Sequence, residues 1–267
     1  MLIIGELINA ARSRVRAALL NRDAEYLQDL ALQQDAAGVH YIDLNVSFDV
    51  GEIEDEIEHM KWAIEVIRSV TAKPLVLSTT RIEVLRTGLI YHGPGAMINA
   101  VSAEEERREP FLRLAREFDC FVLALPVGKN GLPEDILSRV ALCQEIIRAA
   151  EQEKFPAENL YFDALALPLS IEEKNGLQAL RAIHIFKKEL RVKTVIGLTN
   201  ISYGFPLRRL LDRTFLVLAI YEGLDAVILN PLEQTVMSSL QAALLMAGLD
   251  PHGNNYLSAF RAGKMVI

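Results

Sequence analysis

Leu2-Ile3-Ile4-Gly5-Glu6 opens a pattern that recurs eight times along the 267 residues. Each repeat is a short apolar run that stops at or near a polar residue and is followed by a helical stretch. The other runs are His40–Ile42, Pro74–Leu77, Ala96–Ile98, Cys120–Pro126, Asn159–Phe162, Thr194–Leu198 and Asp225–Leu229. If each run is a strand, most strands carry a small hydrogen-bonding side chain near the carboxyl end, where a parallel α/β barrel builds its active site.

Helical patterns fill the gaps between these runs. The predicted helices are Asp23–Ala37, Glu52–Val70, Ile82–Tyr91, one opened by a capping box at Ser102-Ala103-Glu104-Glu105, Pro133–Glu153, Ile171–Leu190, Leu207–Tyr221 and Glu233–Ala247. A glycine-rich phosphate loop, typical of open doubly wound sheets, does not follow the first run. The alternation predicts an α/β fold, a (β/α)8 TIM barrel. We expect residues 1–267 to form a single domain with a short C-terminal tail from about residue 250.

Composition narrows the function classes. Hydrophobic residues make up 51% of the chain, which is enough for a sizeable core, and the net charge is −7. An acidic surface argues against binding to nucleic acid or to an anionic membrane. Cys120 and Cys143 are expected to be buried thiols, and the scattered histidines argue against a structural zinc site. With neither a signal peptide nor a membrane span visible, we expect a soluble cytoplasmic protein.

The polar residues at the strand ends are expected to ring one mouth of the barrel. They are Glu6, Asn9, Asp43, Asn45, Ser78, Thr79, Thr80, Asn99, Asp163, Thr199, Asn200 and Asn230. The set contains amides and carboxylates but neither histidine nor lysine, so it predicts no metal site, Schiff base or histidine-activated nucleophile. Such groups suit a flat heterocycle with an amidine-like edge, such as a pterin or a guanine, and they also suit a sugar.

Each strand-end residue also has a purely structural interpretation. Asp43 could cap a helix, Asn99 and Asn200 could shape loops, and capping is the favoured role for Ser78-Thr79-Thr80. Asp163 differs because it lies between Phe162 and Ala164. A carboxylate among apolar residues needs a partner or a ligand, so the sequence favours a functional role there.

Several segments, taken in order, resemble one enzyme family. They are Met1–Asn9, Asp43-Leu44-Asn45-Val46, Ala96–Asn99, Leu160–Asp163, Gly197–Ser202 and Arg213-Thr214-Phe215-Leu216. Together they resemble the methyltetrahydrofolate:corrinoid protein methyltransferases, and more distantly the folate domain of cobalamin-dependent methionine synthase and dihydropteroate synthase. The resemblance covers about residues 1–248.

The resemblance implies a pterin-binding TIM barrel, usually a homodimer, that transfers a methyl group between N5 of tetrahydrofolate and the cobalt of a corrinoid protein. Tetrahydrofolate or 5-methyltetrahydrofolate would be the substrate, and cobalamin would arrive on the partner, because this chain lacks a cobalamin-binding Asp-x-His-x-x-Gly sequence. Asn200 would stabilise the reacting N5. The implied pterin-binding residues are Asn99, Asp163, Ser78, Gly197, Thr199, Asp43, Glu6 and Arg208.

Two positions depart from the family pattern. Ser78 stands where relatives usually carry aspartate, so a hydroxyl replaces a charge, and Tyr203 stands where many have glutamine or phenylalanine. The change at Ser78 supports an alternative function, a non-catalytic or altered pterin-binding relative that acts as a subunit of a larger methyltransferase assembly. Dihydropteroate synthase is a weaker third interpretation, because the segment around Asn200 lacks the basic residues of a pyrophosphate site.

Overall fold

The eight predicted strands form a closed parallel barrel in the computed structural model, which describes residues 1–48 and 52–266. Neighbouring strands in sequence are neighbours in the barrel, and β8 pairs with β1. The predicted (β/α)8 fold is therefore confirmed. The strands are β1 Leu2–Asn9, β2 Tyr41–Asn45, β3 Leu75–Ser78, β4 Met97–Ser102, β5 Phe121–Leu125, β6 Leu160–Asp163, β7 Lys193–Gly197 and β8 Ala226–Leu229.

The strand register places the polar strand ends beside one another. Asn45 of β2 pairs with both Asn9 of β1 and Ser78 of β3, and Ser78 pairs with Asn99 of β4. Below this level the barrel interior is filled by a layer of apolar side chains. The buried members of that layer are Ile4, Val76, Met97, Leu123, Val195 and Ala226. A packed interior leaves the carboxyl ends of the strands as the place where a ligand can enter.

Ten α-helices surround the barrel within the described residues. They are α1 Ser13–Asn21, α2 Ala24–Ala36, α3 Ile53–Arg68, α4 Ile82–His92, α5 Glu105–Glu117, α6 Ile136–Gln152, α7 Asn175–Ile185, α8 Arg208–Glu222, α9 Gln234–Met246 and α10 Asn254–Arg261. The helix α1 was not predicted, because Arg14 and Arg16 interrupt its short apolar pattern.

Three predicted helix starts are wrong for local reasons. Among the described residues, no side chain caps α5, because Ser102 still belongs to β4 and its hydroxyl donates to the carboxylate of Glu104 instead. The helix α6 begins at Ile136 because Asp135 caps it by accepting a hydrogen bond from Ser138 N at 2.8 Å. The helix α7 begins at Asn175, whose side chain donates to Pro168 O at 2.9 Å and so fixes the preceding turn.

The segment that we predicted to be a tail contains the helix α10. The Asp250 carboxylate accepts hydrogen bonds from Asn255 N and Tyr256 N and so caps this helix. Beyond it, Lys264 Nζ donates to Ala36 O at 3.0 Å, which ties the end of the chain to α2.

Two further observations bear on the chemistry. Cys120, just before β5, and Cys143 in α6 are both buried and free, so the expectation of two buried thiols is confirmed. Among residues 1–48 and 52–266, no helix is long and apolar enough to cross a membrane.

Candidate active site

A chain of hydrogen bonds links three neighbouring strands at the mouth of the barrel. The Ser78 hydroxyl donates to Asp43 Oδ1, and Asn99 Nδ2 donates to Ser78 Oγ at 2.9 Å. Asp43 is only 4% exposed, whereas Asn99 is half-buried. The capping role expected for Ser78 is therefore wrong. The Thr79 hydroxyl accepts the N–H of Arg81 at 3.1 Å and so shapes the turn before α4.

Burial raises the pKa of the Asp43 carboxyl from its ordinary value of 3.8 to about 6, although the hydrogen bond from Ser78 and the nearby Asn99 amide lower it. As the pH rises from about 4 to about 6, the unfolded chain has lost a proton that the folded chain still binds, so the protein loses stability through this window. Above about pH 6 the protein bears the full loss of stability that comes from burying the ionised Asp43 carboxylate.

Asp43→Asn is therefore expected to raise the free energy of unfolding at pH 7.5, by an amount on the order of 3 kcal/mol, since each pKa unit corresponds to about 1.4 kcal/mol. Chemical denaturation at pH 7.5 and pH 4 would measure this, with the gain shrinking at the lower pH. The control is Asp119→Asn, at an exposed carboxylate outside the mouth, where a change within about 0.5 kcal/mol is expected. A destabilised Asp43→Asn protein at pH 7.5 would contradict the argument.

Asp163 ends β6 on the far side of the mouth. Among the described residues, its only hydrogen bond donor is Leu165 N, which contacts Oδ1 at 2.8 Å, so the carboxylate retains acceptor capacity. Burial raises the pKa of Asp163 to about 6, while the Leu165 N–H and the nearby Arg139 guanidinium lower it. Arg139 itself is fully buried and donates to Ala164 O at 2.6 Å, which fixes the backbone that follows Asp163.

Gly197 and Asn200 meet in the turn after β7. Asn200 is exposed, and a Cβ atom added to Gly197 would lie 3.0 Å from Asn200 Nδ2. Because Gly197 has no side chain, the Asn200 amide can pack closely against its backbone. Among the described residues, the Asn200 side chain makes no hydrogen bond, so its donors and acceptor are available to a ligand.

The strand-end asparagines divide into two groups. The Oδ1 atoms of Asn9, Asn45 and Asn230 accept backbone N–H groups two residues further along, at 2.9, 2.9 and 3.0 Å, and so shape their own loops. Asn99 and Asn200 do not form this turn. The loop-shaping interpretation therefore applies to the first group and is wrong for the second.

Glu6 and Thr199 connect β1 with the turn after β7. The Thr199 hydroxyl donates to Glu6 Oε2 at 3.1 Å, and Arg12 Nη2 lies 3.4 Å from Glu6 Oε1. Burial raises the pKa of Glu6, the Arg12 charge and the Thr199 hydrogen bond lower it, and the Asp212 carboxylate raises it again.

The sequence interpretation missed Asp212, a buried acid on α8 that hydrogen bonds to Ser202. Its Oδ1 has no hydrogen bond partner among the described residues. A carboxylate within the apolar run of α8 is the signal that could have identified it.

Arg208, the first residue of α8, organises the loop before it. Its Nη2 donates to Thr199 O at 2.7 Å, its Nε donates to Ser202 Oγ at 3.0 Å, and the guanidinium lies 5.8 Å from the centre of the Tyr203 ring. These contacts hold Thr199 and Asn200 in place at the rim of the mouth.

The mouth thus combines carboxylate acceptors, amides and hydroxyls on one rim. Among the described residues, no group of three or more His, Cys, Asp or Glu side chains is placed to hold a metal ion. Asp163 supplies a free acceptor, Asn99 and Asn200 supply amides, and the buried pair of Asp43 and Ser78 supports Asn99. This arrangement can hold the edge of a flat heterocycle by hydrogen bonds and leave its exposed face open to a second reactant.

Comparison with known proteins identifies relatives of this chain. Residues 5–230 match the family described as pterin binding enzyme. The chain is 26% identical over 275 residues to a methylcorrinoid:tetrahydrofolate methyltransferase of Eubacterium limosum, covering 99% of this chain and 98% of that protein. It is 29% identical over 263 residues to methionine synthase of Mycobacterium leprae, covering 91% of this chain but only 22% of that longer protein.

Solved structures share the fold. A dihydropteroate synthase from Xanthomonas albilineans in complex with 7,8-dihydropteroate superposes with a TM-score of 0.69 at 18% identity, covering 92% of this chain and 91% of that one. At such identity the likeness concerns the fold alone.

The resemblance stated from the sequence is confirmed by the full-length match to a methyltransferase and by the family match. That the chain is an enzyme is confirmed on the same grounds. Because the family match extends over most of the sequence, this chain belongs to the pterin binding enzyme family.

Proposed function

We propose that this protein transfers a methyl group between N5 of tetrahydrofolate and the cobalt of a corrinoid protein. The observation that carries the proposal is the exposed Asn200 amide, which lies over Gly197 on the same rim as Asp163 and Asn99. The full-length similarity to a methylcorrinoid:tetrahydrofolate methyltransferase supports it. The setting would be one-carbon metabolism or O- or N-demethylation, and the reaction can run in either direction at one site.

Recognition of the pterin would use the two sides of the mouth. Asp163 would accept hydrogen bonds from the N–C–NH2 edge of the ring, because its carboxylate has acceptor capacity that Leu165 does not use. Asn99 would bind the ring from β4. Glu6, Asp43, Ser78, Thr199 and Arg208 would shape or support this surface through the hydrogen bonds described above.

The chemical difficulty of the reaction is the leaving group. A tertiary amine leaves poorly, so N5 must gain a proton or a strong hydrogen bond before the methyl group passes to Co(I). The C–N bond breaks as the cobalt–carbon bond forms, and the proton gained from solvent stays on N5. Asn200 cannot supply that proton, but it can strengthen a hydrogen bond as N5 becomes cationic, which stabilises the transition state.

Titration with 5-methyltetrahydrofolate tests the proposal directly. We expect saturable binding by calorimetry, followed by methylation of a corrinoid protein that can be observed at the cobalt absorption. Absence of binding at millimolar ligand would refute the proposed function.

Gly197→Ala is expected to slow methyl transfer about three- to tenfold with little change in folate affinity. The new Cβ would lie 3.0 Å from Asn200 Nδ2, so the amide must shift by a few tenths of an ångström, and catalysis is sensitive to such displacements. Single-turnover kinetics would measure the effect. Gly176→Ala is the matched control, because its Cβ would contact Leu169 at an ordinary 3.4 Å. Equal rates for both variants and the wild type would contradict the role of Gly197.

The proposal extends to the assembly of the protein. An exposed apolar stripe on α8 supports a homodimer, and its members are Leu210, Val217, Leu218 and Tyr221. Sedimentation velocity would test this, with a monomer at micromolar concentration as the contrary result.

The corrinoid protein would approach the open mouth. We likewise propose that residues 1–267 act as one domain and that the protein works in the cytoplasm.

The presence of Ser78 favours one alternative, a pterin-binding relative without catalysis in a larger methyltransferase assembly. A wild-type protein that binds 5-methyltetrahydrofolate but methylates no corrinoid partner would support it. Methylation at a rate well above the uncatalysed reaction would exclude it.

A further inference from the structure

A path of hydrogen bonds leads from a buried carboxylate to the surface of the mouth. Asp43 on β2 is buried, Ser78 at the end of β3 is buried, and Asn99 on β4 is half-buried. Ser78 donates to Asp43 Oδ1 and accepts from Asn99 Nδ2 at 2.9 Å. Asp43 is too deeply buried to offer much surface to a ligand, but its charge can influence Asn99 through these two hydrogen bonds.

The path has a fixed direction as long as Asp43 is ionised. An ionised carboxylate can only accept hydrogen bonds, so the single hydroxyl hydrogen of Ser78 points to Asp43. Ser78 can then only accept from Asn99, and the amide must present Nδ2 to it. The Oδ1 atom of Asn99 is left to face the opening.

We propose that Asp43 is a positioning residue that acts through Ser78 to fix the orientation of the Asn99 amide, so that this side of the mouth presents a hydrogen bond acceptor to the ligand. This inference rests on the proposed function for the identity of that ligand as a reduced pterin. The orientation of the Asn99 amide on β4 would then depend on the charge of Asp43 on β2.

Protonation of Asp43 removes the directionality. A protonated carboxyl can donate to Ser78 Oγ, and the serine hydrogen is then free to bond Asn99 Oδ1, so the amide can turn over. From β1, the Glu6 carboxylate also faces Asp43 and raises its pKa, whereas β3 and β4 contribute the uncharged Ser78 and Asn99. The loss of orientation is expected as the pH falls through about 6, which is where burial places the pKa of Asp43.

Affinity for 5-methyltetrahydrofolate tests the inference in a set of variants. At pH 7.5, we expect Asp43→Asn and Ser78→Ala each to weaken binding about five- to tenfold, and the double variant to bind no more weakly than the worse single variant. In the Asn99→Ala background, Asp43→Asn should have no further effect. At pH 5 the affinity ratio between wild type and Asp43→Asn should approach one, because residue 43 is then neutral in both proteins. The titration of Asp163 and of the ligand affects both proteins equally and so cancels in this ratio.

A second measurement needs no ligand. The side-chain amide resonance of Asn99, identified by its loss in Asn99→Ala, should titrate with a midpoint near pH 6 in the wild type and stay constant in Asp43→Asn. An amide resonance that is insensitive to pH, or an Asp43→Asn effect of equal size in the Asn99→Ala background, would overturn the inference. Failure of the proposed function is a separate outcome, seen as a wild-type protein that does not bind the folate although its Asn99 amide titrates.

Discussion

Asn200→Ala is expected to lower the rate of methyl transfer about 10²–10³-fold, while the Kd for 5-methyltetrahydrofolate stays within about threefold of the wild-type value. Removing a donor that acts on the developing charge of the transition state costs on the order of 3 kcal/mol. The exposed amide makes no hydrogen bond to the described part of the protein, so its loss leaves no buried partner unsatisfied and the fold is expected to persist.

Single-turnover transfer, monitored at the cobalt, would measure the effect on the chemical step, and calorimetry would measure binding. Asn254→Ala is the matched control, because Asn254 is an exposed asparagine at the start of α10. A parallel loss of rate and affinity would show that Asn200 binds the substrate rather than its transition state. An unchanged rate would remove Asn200 from the mechanism.

Asp163→Asn is expected to weaken pterin binding about 100-fold, a loss on the order of 3 kcal/mol. The substitution replaces a charged acceptor of two parallel hydrogen bonds by an amide that can accept only one of them, and hydrogen bonds to charged groups contribute about 1.5–3 kcal/mol each. The backbone contact from Leu165 N can still be made, because the amide oxygen can accept it.

The pH dependence gives this prediction a second test. The ionised form of Asp163 is the one that accepts from the ring, and burial raises the pKa of Asp163 to about 6. Wild-type affinity should therefore decline as the pH falls through about 6, and the Asp163 contribution to that decline should be missing in Asp163→Asn. Asp119→Asn, at an exposed aspartate just before β5, serves as the control. Equal affinities for Asp163→Asn and the wild type at pH 7.5 would exclude direct pterin recognition by Asp163.

The two predictions rest on residues that were accessible from the sequence to different degrees. Asp163 was identified because a carboxylate between Phe162 and Ala164 cannot remain unpartnered in a barrel wall. Asn200 was identified only through the resemblance, since Asn9, Asn45 and Asn230 occupy similar strand ends and merely shape loops. Composition and spacing could not separate these asparagines, because the difference lies in where each amide points.

Other site features could not be predicted because they depend on pairs of distant residues. Thr199 and Glu6 are far apart in sequence but share a hydrogen bond, since β7 and β1 both border β8. Asp212 interacts with Glu6 because α8 folds back over the same edge. Arg208 contacts Thr199 O and Ser202 in the loop before α8, and its contact with the pterin stays a prediction.

The barrel and the set of polar strand ends could be predicted from the amino-acid sequence. Both follow from local periodicity, because an apolar run of strand length that stops at a polar residue, repeated eight times, has few other ways to bury its surface. The role of Ser78, in contrast, became visible in the folded barrel. A serine at a strand end is compatible with a cap, but the pairing of β2, β3 and β4 places Ser78 opposite Asn45 and Asn99. From there its hydroxyl reaches Asp43, two residues before Asn45. The register between strands depends on how the sheet assembles and not on the local sequence. The assembled sheet therefore makes the Ser78 hydroxyl the link between the buried Asp43 and Asn99 at the mouth.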